Sequence, residues 1–219
     1  MKKTTPRVKG VLLDLDGTIV DSKGAYLEAA RSAYHAFGLK VPNRKVALEI
    51  PRRLEQQQTL DNIVGTDVTS FLEVYLKRFY AVTFEKTKPF PNMEKALMNL
   101  PQKAKLALIT MRFVPKSTIV AELKHFGLAK YFDCVVTALD TPNPKPSPEA
   151  LVKAAVFLNA KSCDCLVVGD SVTDVRAGKA AGIMTVGVLS GLFSREELVC
   201  ENPDLILDSA VELPRYVEA

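Results

Sequence analysis

This 219-residue chain predicts an α/β fold on three observations. Strand-like apolar runs recur at 8–13, 104–109, 134–136, 164–168 and 183–188, with a weaker one at 204–207. Helix patterns separate several of them, at 115–127, 148–159 and 173–182. The runs are near-continuous in apolar residues rather than alternating, the pattern of strands buried on both faces of a parallel sheet. The expected architecture is a Rossmann-like parallel sheet with helices on both faces, plus an inserted α-helical segment.

The first run, Val11-Leu12-Leu13, ends in Asp14-Leu15-Asp16-Gly17-Thr18. In extended backbone the side chains of Asp14 and Asp16 point to one side, with Leu15 turned into the core. Two acids at the carboxyl end of a buried strand lie where parallel sheets place ligands. Gly17 permits a sharp turn, and Thr18 adds a hydroxyl that can fix a carboxylate. Acids paired this way suit a hard cation, with one of them also able to act as nucleophile or acid/base.

Residues 22–88 break the rhythm, holding helix patterns and no strand. Tyr26, Ala29, Ala30, Ala33 and Phe37 recur at helical spacing until Gly38 stops them. Val68, Phe71, Leu72, Tyr75, Leu76 and Phe79 form a second stripe. Inserted directly after the acidic strand end, residues 22–88 are expected to form a helical cap domain. The α/β core is then 1–21 with 89–219, jointed near Asp21–Lys23 and Lys88–Pro91. A core helix pair of a single domain is the alternative.

The next run ends in Leu108-Ile109-Thr110, placing a hydroxyl where the helix at 115–127 approaches; such a threonine can donate to a phosphate oxygen. Lys145 stands in Asn143-Pro-Lys-Pro-Ser-Pro148, where prolines on both sides stiffen the backbone that aims it. Ser147 and Pro148 read as the cap and first residue of the following helix. The run Cys165–Val168 ends in Gly169-Asp170-Ser171-Val172-Thr173-Asp174. Asp170 follows the strand directly and Asp174 comes one helical turn later, so both can face one pocket. Helix capping alone explains one of the two. Gly127 and Gly182 stand where helices end.

Composition narrows the function classes. A chain with 47% hydrophobic and 25% charged residues buries a sizeable core. Its net charge of +4, without a basic cluster interleaved with aromatics, does not indicate nucleic-acid binding. No apolar segment is long enough to span a bilayer, and the one after the basic stretch 1–7 is too short for a signal peptide. Cysteines at 134, 163, 165 and 200 lack zinc-site spacing and read as reduced, mostly core thiols of a cytoplasmic protein.

Acid pair, hydroxyl, lysine and second acid pair, in this order, resemble the haloacid dehalogenase superfamily of phosphotransferases. Its DxDGT motif matches 14–18, its Thr/Ser matches Thr110, its Lys matches Lys145, and its GDxxxD matches 169–174. The resemblance covers essentially the whole chain. The helical cap, Gly187-Val-Leu-Ser-Gly191 and the tail from Pro203-Asp204 to Glu212-Leu213 look like phosphoglycolate-phosphatase-type members.

The resemblance implies a phosphatase of a small phosphorylated metabolite. Asp14 would be the nucleophile that forms an aspartyl-phosphate and Asp16 the acid/base, with Thr110 and Lys145 holding phosphoryl oxygens. Mg²⁺ would bind through Asp14, the Asp16 main-chain carbonyl and Asp170. Thr18 and Asp174 would support these residues from behind, Asp174 by orienting Lys145 or a metal-bound water. Members that cleave carbon–halogen bonds lack an acid at the position of Asp16. Sugar phosphomutases, the alternative enzyme reading, often carry an aliphatic residue at the position of Thr18; a non-catalytic regulatory binding protein is the third reading. Met111 and Arg112 stand where phosphoglycolate-type enzymes commonly continue with Asn, which makes both candidate substrate contacts. A solvent-facing loop arginine is the alternative for Arg112. Ile50-Pro51-Arg52-Arg53 looks like the cap loop that faces the site in relatives, which makes Arg52 a further substrate-binding candidate; the solvated start of the next helix is the alternative for Arg52 and Arg53. Nothing in the sequence sets the oligomeric state.

Overall fold

A computed structural model describes residues 8–100 and 104–218, so the basic stretch 1–7 lies outside the described residues. In chain order, β1 (Gly10–Asp14) is followed by β2 (Val20–Asp21), α1 (Lys23–Ala36), α2 (Arg44–Glu55), α3 (Asp61–Val64) and α4 (Val68–Lys86). Then come β3 (Lys88–Pro89), α5 (Met93–Asn99), β4 (Lys105–Ile109), α6 (Lys116–His125) and β5 (Cys134–Val136). The alternation closes with α7 (Glu149–Phe157), β6 (Cys165–Gly169), α8 (Val172–Ala180), β7 (Met184–Val188), α9 (Arg195–Cys200) and β8 (Leu205–Leu207).

Six strands form one Rossmann-like sheet in the order β5-β4-β1-β6-β7-β8, and every pair is parallel. Each extends at most one residue beyond an apolar run of the sequence, because a strand covered on both faces has no polar side to show. β1 is central and buried along its whole length. One large apolar cluster joins Leu12, Ile109 and Val167 of the sheet to Leu151, Ala154 and Ala155 of α7 and Ala177 of α8. Leu15 is fully buried, as its place between two acids predicts.

The chain divides into two units, one made of residues up to Val20 together with Pro89 onward, the other of Asp21–Lys88. The second unit is entirely helical in its interior. α1 and α4 share an aromatic and alanine core in which Tyr26 stacks on Phe79 with ring centroids 4.9 Å apart. Asn43 and Asp67 cap α2 and α4, accepting from the main-chain N–H of Val46 and Ser70. Gly38, Gly127 and Gly182 follow their helices with positive φ, as expected.

Three details differ from the sequence expectations. α7 begins at Glu149 rather than Pro148, because Ser147 donates its N–H to Pro144 O and belongs to the preceding turn. Residues 50–53 are not a loop: they lie inside α2, which continues through Pro51. Nor are the thiols mostly in the core, since Cys163 and Cys200 are exposed at element ends and Cys134 is half-buried. Burial pushes the Cys134 and Cys165 thiols up to about 11, so both are poor nucleophiles at neutral pH. Among the described residues, no helix is long and apolar enough to cross a membrane.

Candidate active site

Strand register assembles the site. Asp14 pairs with Ile109 on one side, so Thr110 follows one residue beyond it. Leu13 pairs with Val168 on the other, so Asp170 comes two residues beyond. A hydroxyl and a second acid therefore flank Asp14 at the carboxyl edge of three adjacent strands. This edge is where open parallel sheets bind ligands.

Lys145 reaches this edge from the loop before α7. Its Nζ donates to Asp14 Oδ1 at 2.6 Å and to Asp174 Oδ1 at 2.6 Å, and the lysine is 2% exposed. A buried ammonium needs such partners, since an unpaired charge in low dielectric is strongly disfavoured. Asp174 is fixed from its other oxygen, where Oδ2 accepts from Ser171 N and Ser171 Oγ at 3.2 and 2.8 Å. Ser171 Oγ in turn accepts from Asp174 N, completing the capping box that starts α8. Capping and lysine orientation are thus two uses of one carboxylate.

Asp170 is held by a tight backbone approach. Its Oδ2 accepts from Leu192 N at 3.1 Å, and Thr18 Oγ1 lies 3.4 Å from its Oδ1. A Cβ on Gly191 would overlap the Asp170 carboxylate, and one on Gly17 would lie 2.5 Å from Asp170 Oδ2. Gly17 also has φ +89°, a left-handed turn that disfavours any side chain. Ser190 Oγ donates to Gly17 O at 2.6 Å, tying the loop after β7 to the loop after β1. Ser171, Ser190 and Gly191 belong to this arrangement; the sequence motifs contain them but gave them no role in the site, and only the serine–acid spacing of the capping box signalled one of them.

The carboxylates of Asp14, Asp170 and Asp174 offer oxygens within 4.8 Å of one another, all buried. With Lys145 as the cation among them, this group carries an excess of two negative charges. Hard oxygen donors with a net negative formal charge fit a hard divalent cation. Asp174 is held most tightly of the three, by the Lys145 ammonium at 2.6 Å on one oxygen and by two Ser171 donors on the other, against contacts of 3.1 and 3.4 Å on the oxygens of Asp170.

Asp16 points to a different partner. Arg112 grips it bidentately, Nε to Oδ2 at 2.8 Å and Nη2 to Oδ1 at 2.7 Å, and donates from Nη1 to Glu122 Oε2 at 2.6 Å. Burial disfavours the guanidinium charge, but the Asp16 and Glu122 carboxylates outweigh it and hold the Arg112 pKa above its usual value. Arg112 is therefore not a solvent-facing loop residue; it is 4% exposed. Thr110 Oγ1 accepts from Arg112 N at 3.2 Å, which leaves the hydroxyl proton to donate elsewhere. Met111 is half-buried between these two. Glu122 escaped the sequence reading, although an acid beside Ile119 and Leu123 on the inward stripe of α6 was a visible signal.

Arg52 and Arg53 are engaged within the helical unit. Arg52 Nη1 pairs with Glu49 Oε1 at 2.8 Å, one turn back on α2. Arg53 Nη1 donates to Thr59 O at 3.1 Å and to Asn62 Oδ1, tying the end of α2 to the next segment.

The description "haloacid dehalogenase-like hydrolase" belongs to the family model that matches residues 11–188. A phosphoglycolate phosphatase from Salmonella typhimurium is 31% identical over 231 residues, covering 94% of this chain and 91% of its own. The pyrophosphatase PpaX of Anoxybacillus flavithermus is 29% identical over 209 residues, covering 94% and 95%. A solved structure from Bacteroides fragilis, provisionally described as a haloacid dehalogenase-like hydrolase, superposes with a TM-score of 0.82 at 25% identity, over 94% of this chain and 99% of that one.

Proposed function

The chain belongs to the haloacid dehalogenase-like hydrolases, and we propose that it is a Mg²⁺-dependent phosphatase that hydrolyses a small phosphomonoester through a phosphorylated Asp14. One observation carries this reading: Lys145 sits 2.6 Å from Asp14 at the sheet edge, with Asp170 in the same acidic group. A buried lysine against a carboxylate offers a nucleophile beside a cation for the incoming phosphoryl group.

Asp14 attacks phosphorus, and the bond from phosphorus to the ester oxygen breaks. Asp16 gives a proton to the departing alkoxide and then takes one from the water that attacks the phosphorylated Asp14. Inorganic phosphate leaves, and both carboxylates return to their starting state. Lys145 and the Thr110 hydroxyl hold phosphoryl oxygens in line, and Asp174 aims Lys145. Asp14, Asp170 and the main-chain carbonyl of Asp16 would hold Mg²⁺, which would supply charge compensation for the transferring phosphoryl. Because Arg112 takes the Asp16 carboxylate, residue 16 would hold the metal through its carbonyl rather than its side chain.

The curated relatives named above carry the names phosphoglycolate phosphatase and pyrophosphatase, both of which describe small phosphorylated anions. Free cysteines support a cytoplasmic setting. The reading is tested by screening phosphorylated metabolites for phosphate release with Mg²⁺ and after chelation. Release from at least one alkyl phosphomonoester, abolished by chelator, is the expected result. Conversion of a hexose 1-phosphate to its isomer without free phosphate would make the chain a mutase instead.

A further inference from the structure

The Asp16–Arg112–Glu122 chain calls for an explanation beyond stability. Side-chain exposure falls along it from 14% at Asp16 to 4% at Arg112 and 1% at Glu122. Glu122 Oε1 is buried without a hydrogen-bond partner among the described residues. Buried ion triads are often matched or exceeded in stability by apolar residues of similar size, and a half-satisfied carboxylate adds a desolvation cost. What the triad does provide is orientation. A guanidinium fork fixes a carboxylate in its plane, and a second carboxylate behind the guanidinium fixes the fork.

We infer that Arg112 is a positioning residue for the acid/base Asp16, with Glu122 as its buried anchor. The triad presents a single carboxylate outward from a charged foundation set into β4, its following loop and α6. The fork uses one acceptor site on each Asp16 oxygen, and a carboxylate oxygen has two such sites. Arg112 thereby acts through Asp16 and not on the substrate, which replaces the substrate contact expected from its position after Thr110. The inference rests on Asp16 being the acid/base.

The test compares kcat/KM for an alkyl phosphate with that for p-nitrophenyl phosphate, in wild type, Asp16→Asn, Arg112→Ala and Arg112→Lys. This ratio reports steps up to departure of the leaving group and not hydrolysis of the phosphorylated enzyme. An alkoxide needs a proton to leave, whereas p-nitrophenolate departs without one. Asp16→Asn should therefore lose about 10²–10⁴-fold on the alkyl ester and far less on the aryl ester. Arg112→Ala should show the same selectivity at about 10–100-fold, because the acid is present but unaligned. Arg112→Lys keeps charge but not the fork and should fall between wild type and Arg112→Ala. If Arg112→Ala does not fold, a selective loss in Arg112→Lys supports the inference, and equal effects on both esters overturn it. A selective loss in Asp16→Asn with unselective losses in both Arg112 variants overturns the inference alone. An unselective loss in Asp16→Asn would remove Asp16 as the acid, and the inference with it.

Discussion

One buried ammonium bridges two elements of the fold: Lys145 Nζ lies 2.6 Å from Asp14 at the end of β1 and 2.6 Å from Asp174 in the first turn of α8. Removing it would leave two buried carboxylates facing each other. Lys145→Met should lower kcat about 10²–10³-fold, the usual size of a lost transition-state cation or donor. It should also cost about 3–5 kcal/mol in metal-free protein, since one partner of a buried network is gone. Phosphate release and urea unfolding in chelator measure the two effects separately.

Gly191 has no room for a side chain against Asp170. Gly191→Ala should displace that carboxylate and raise the Mg²⁺ concentration for half-maximal activity by about 10–100-fold, the range seen when metal ligands lose their support. Titrating activity with Mg²⁺ checks this; an unchanged midpoint would mean that Asp170 does not hold the metal.

Ca²⁺ should inhibit the Mg²⁺-activated enzyme. It accepts more oxygen ligands at longer distances and relaxes the octahedral geometry that in-line attack needs. The measurement is phosphate release at fixed Mg²⁺ with rising Ca²⁺, and activation by Ca²⁺ would contradict the reading.

The Ser171 side chain makes one half of the capping box of α8, accepting from Asp174 N, and the Asp174 carboxylate makes the other. Ser171→Ala should cost about 0.5–2 kcal/mol in urea unfolding, the range for a lost cap. Because Asp174 also loses its Ser171 Oγ partner, turnover should fall as well, with KM for the phosphoester little changed.

Much of the core was legible because its signals are local. Each buried parallel strand is a short apolar run, and Asp14, Thr110, Lys145 and Asp170 stand directly at strand ends or in a proline-framed loop. The expected roles of Asp14 and Asp16 as one paired unit miss what the structure adds: Asp14 turns to Lys145, 131 positions away, and Asp16 to Arg112, 96 positions away. Such pairings depend on which strands become neighbours, and no spacing along the chain encodes that. Residues 50–53 misled for the opposite reason. Their likeness to the cap loop of relatives suggested a loop, yet the helix capped by Asn43 runs through them with Pro51 buried. α9 was missed although its Ser194–Glu197 capping box is plain in the sequence, and only its brevity hid it.

Covalent chemistry at Asp14 is the centre of this account. The most direct measurement is an acid quench during turnover of a phosphoester labelled in its phosphoryl group, followed by peptide mapping. The predicted result is one phosphoryl group on the peptide that contains Asp14, labile to hydroxylamine as an acyl phosphate is, and absent in Asp14→Asn, which should also lack turnover. Full turnover by Asp14→Asn, or label carried on a residue other than Asp14, would contradict it.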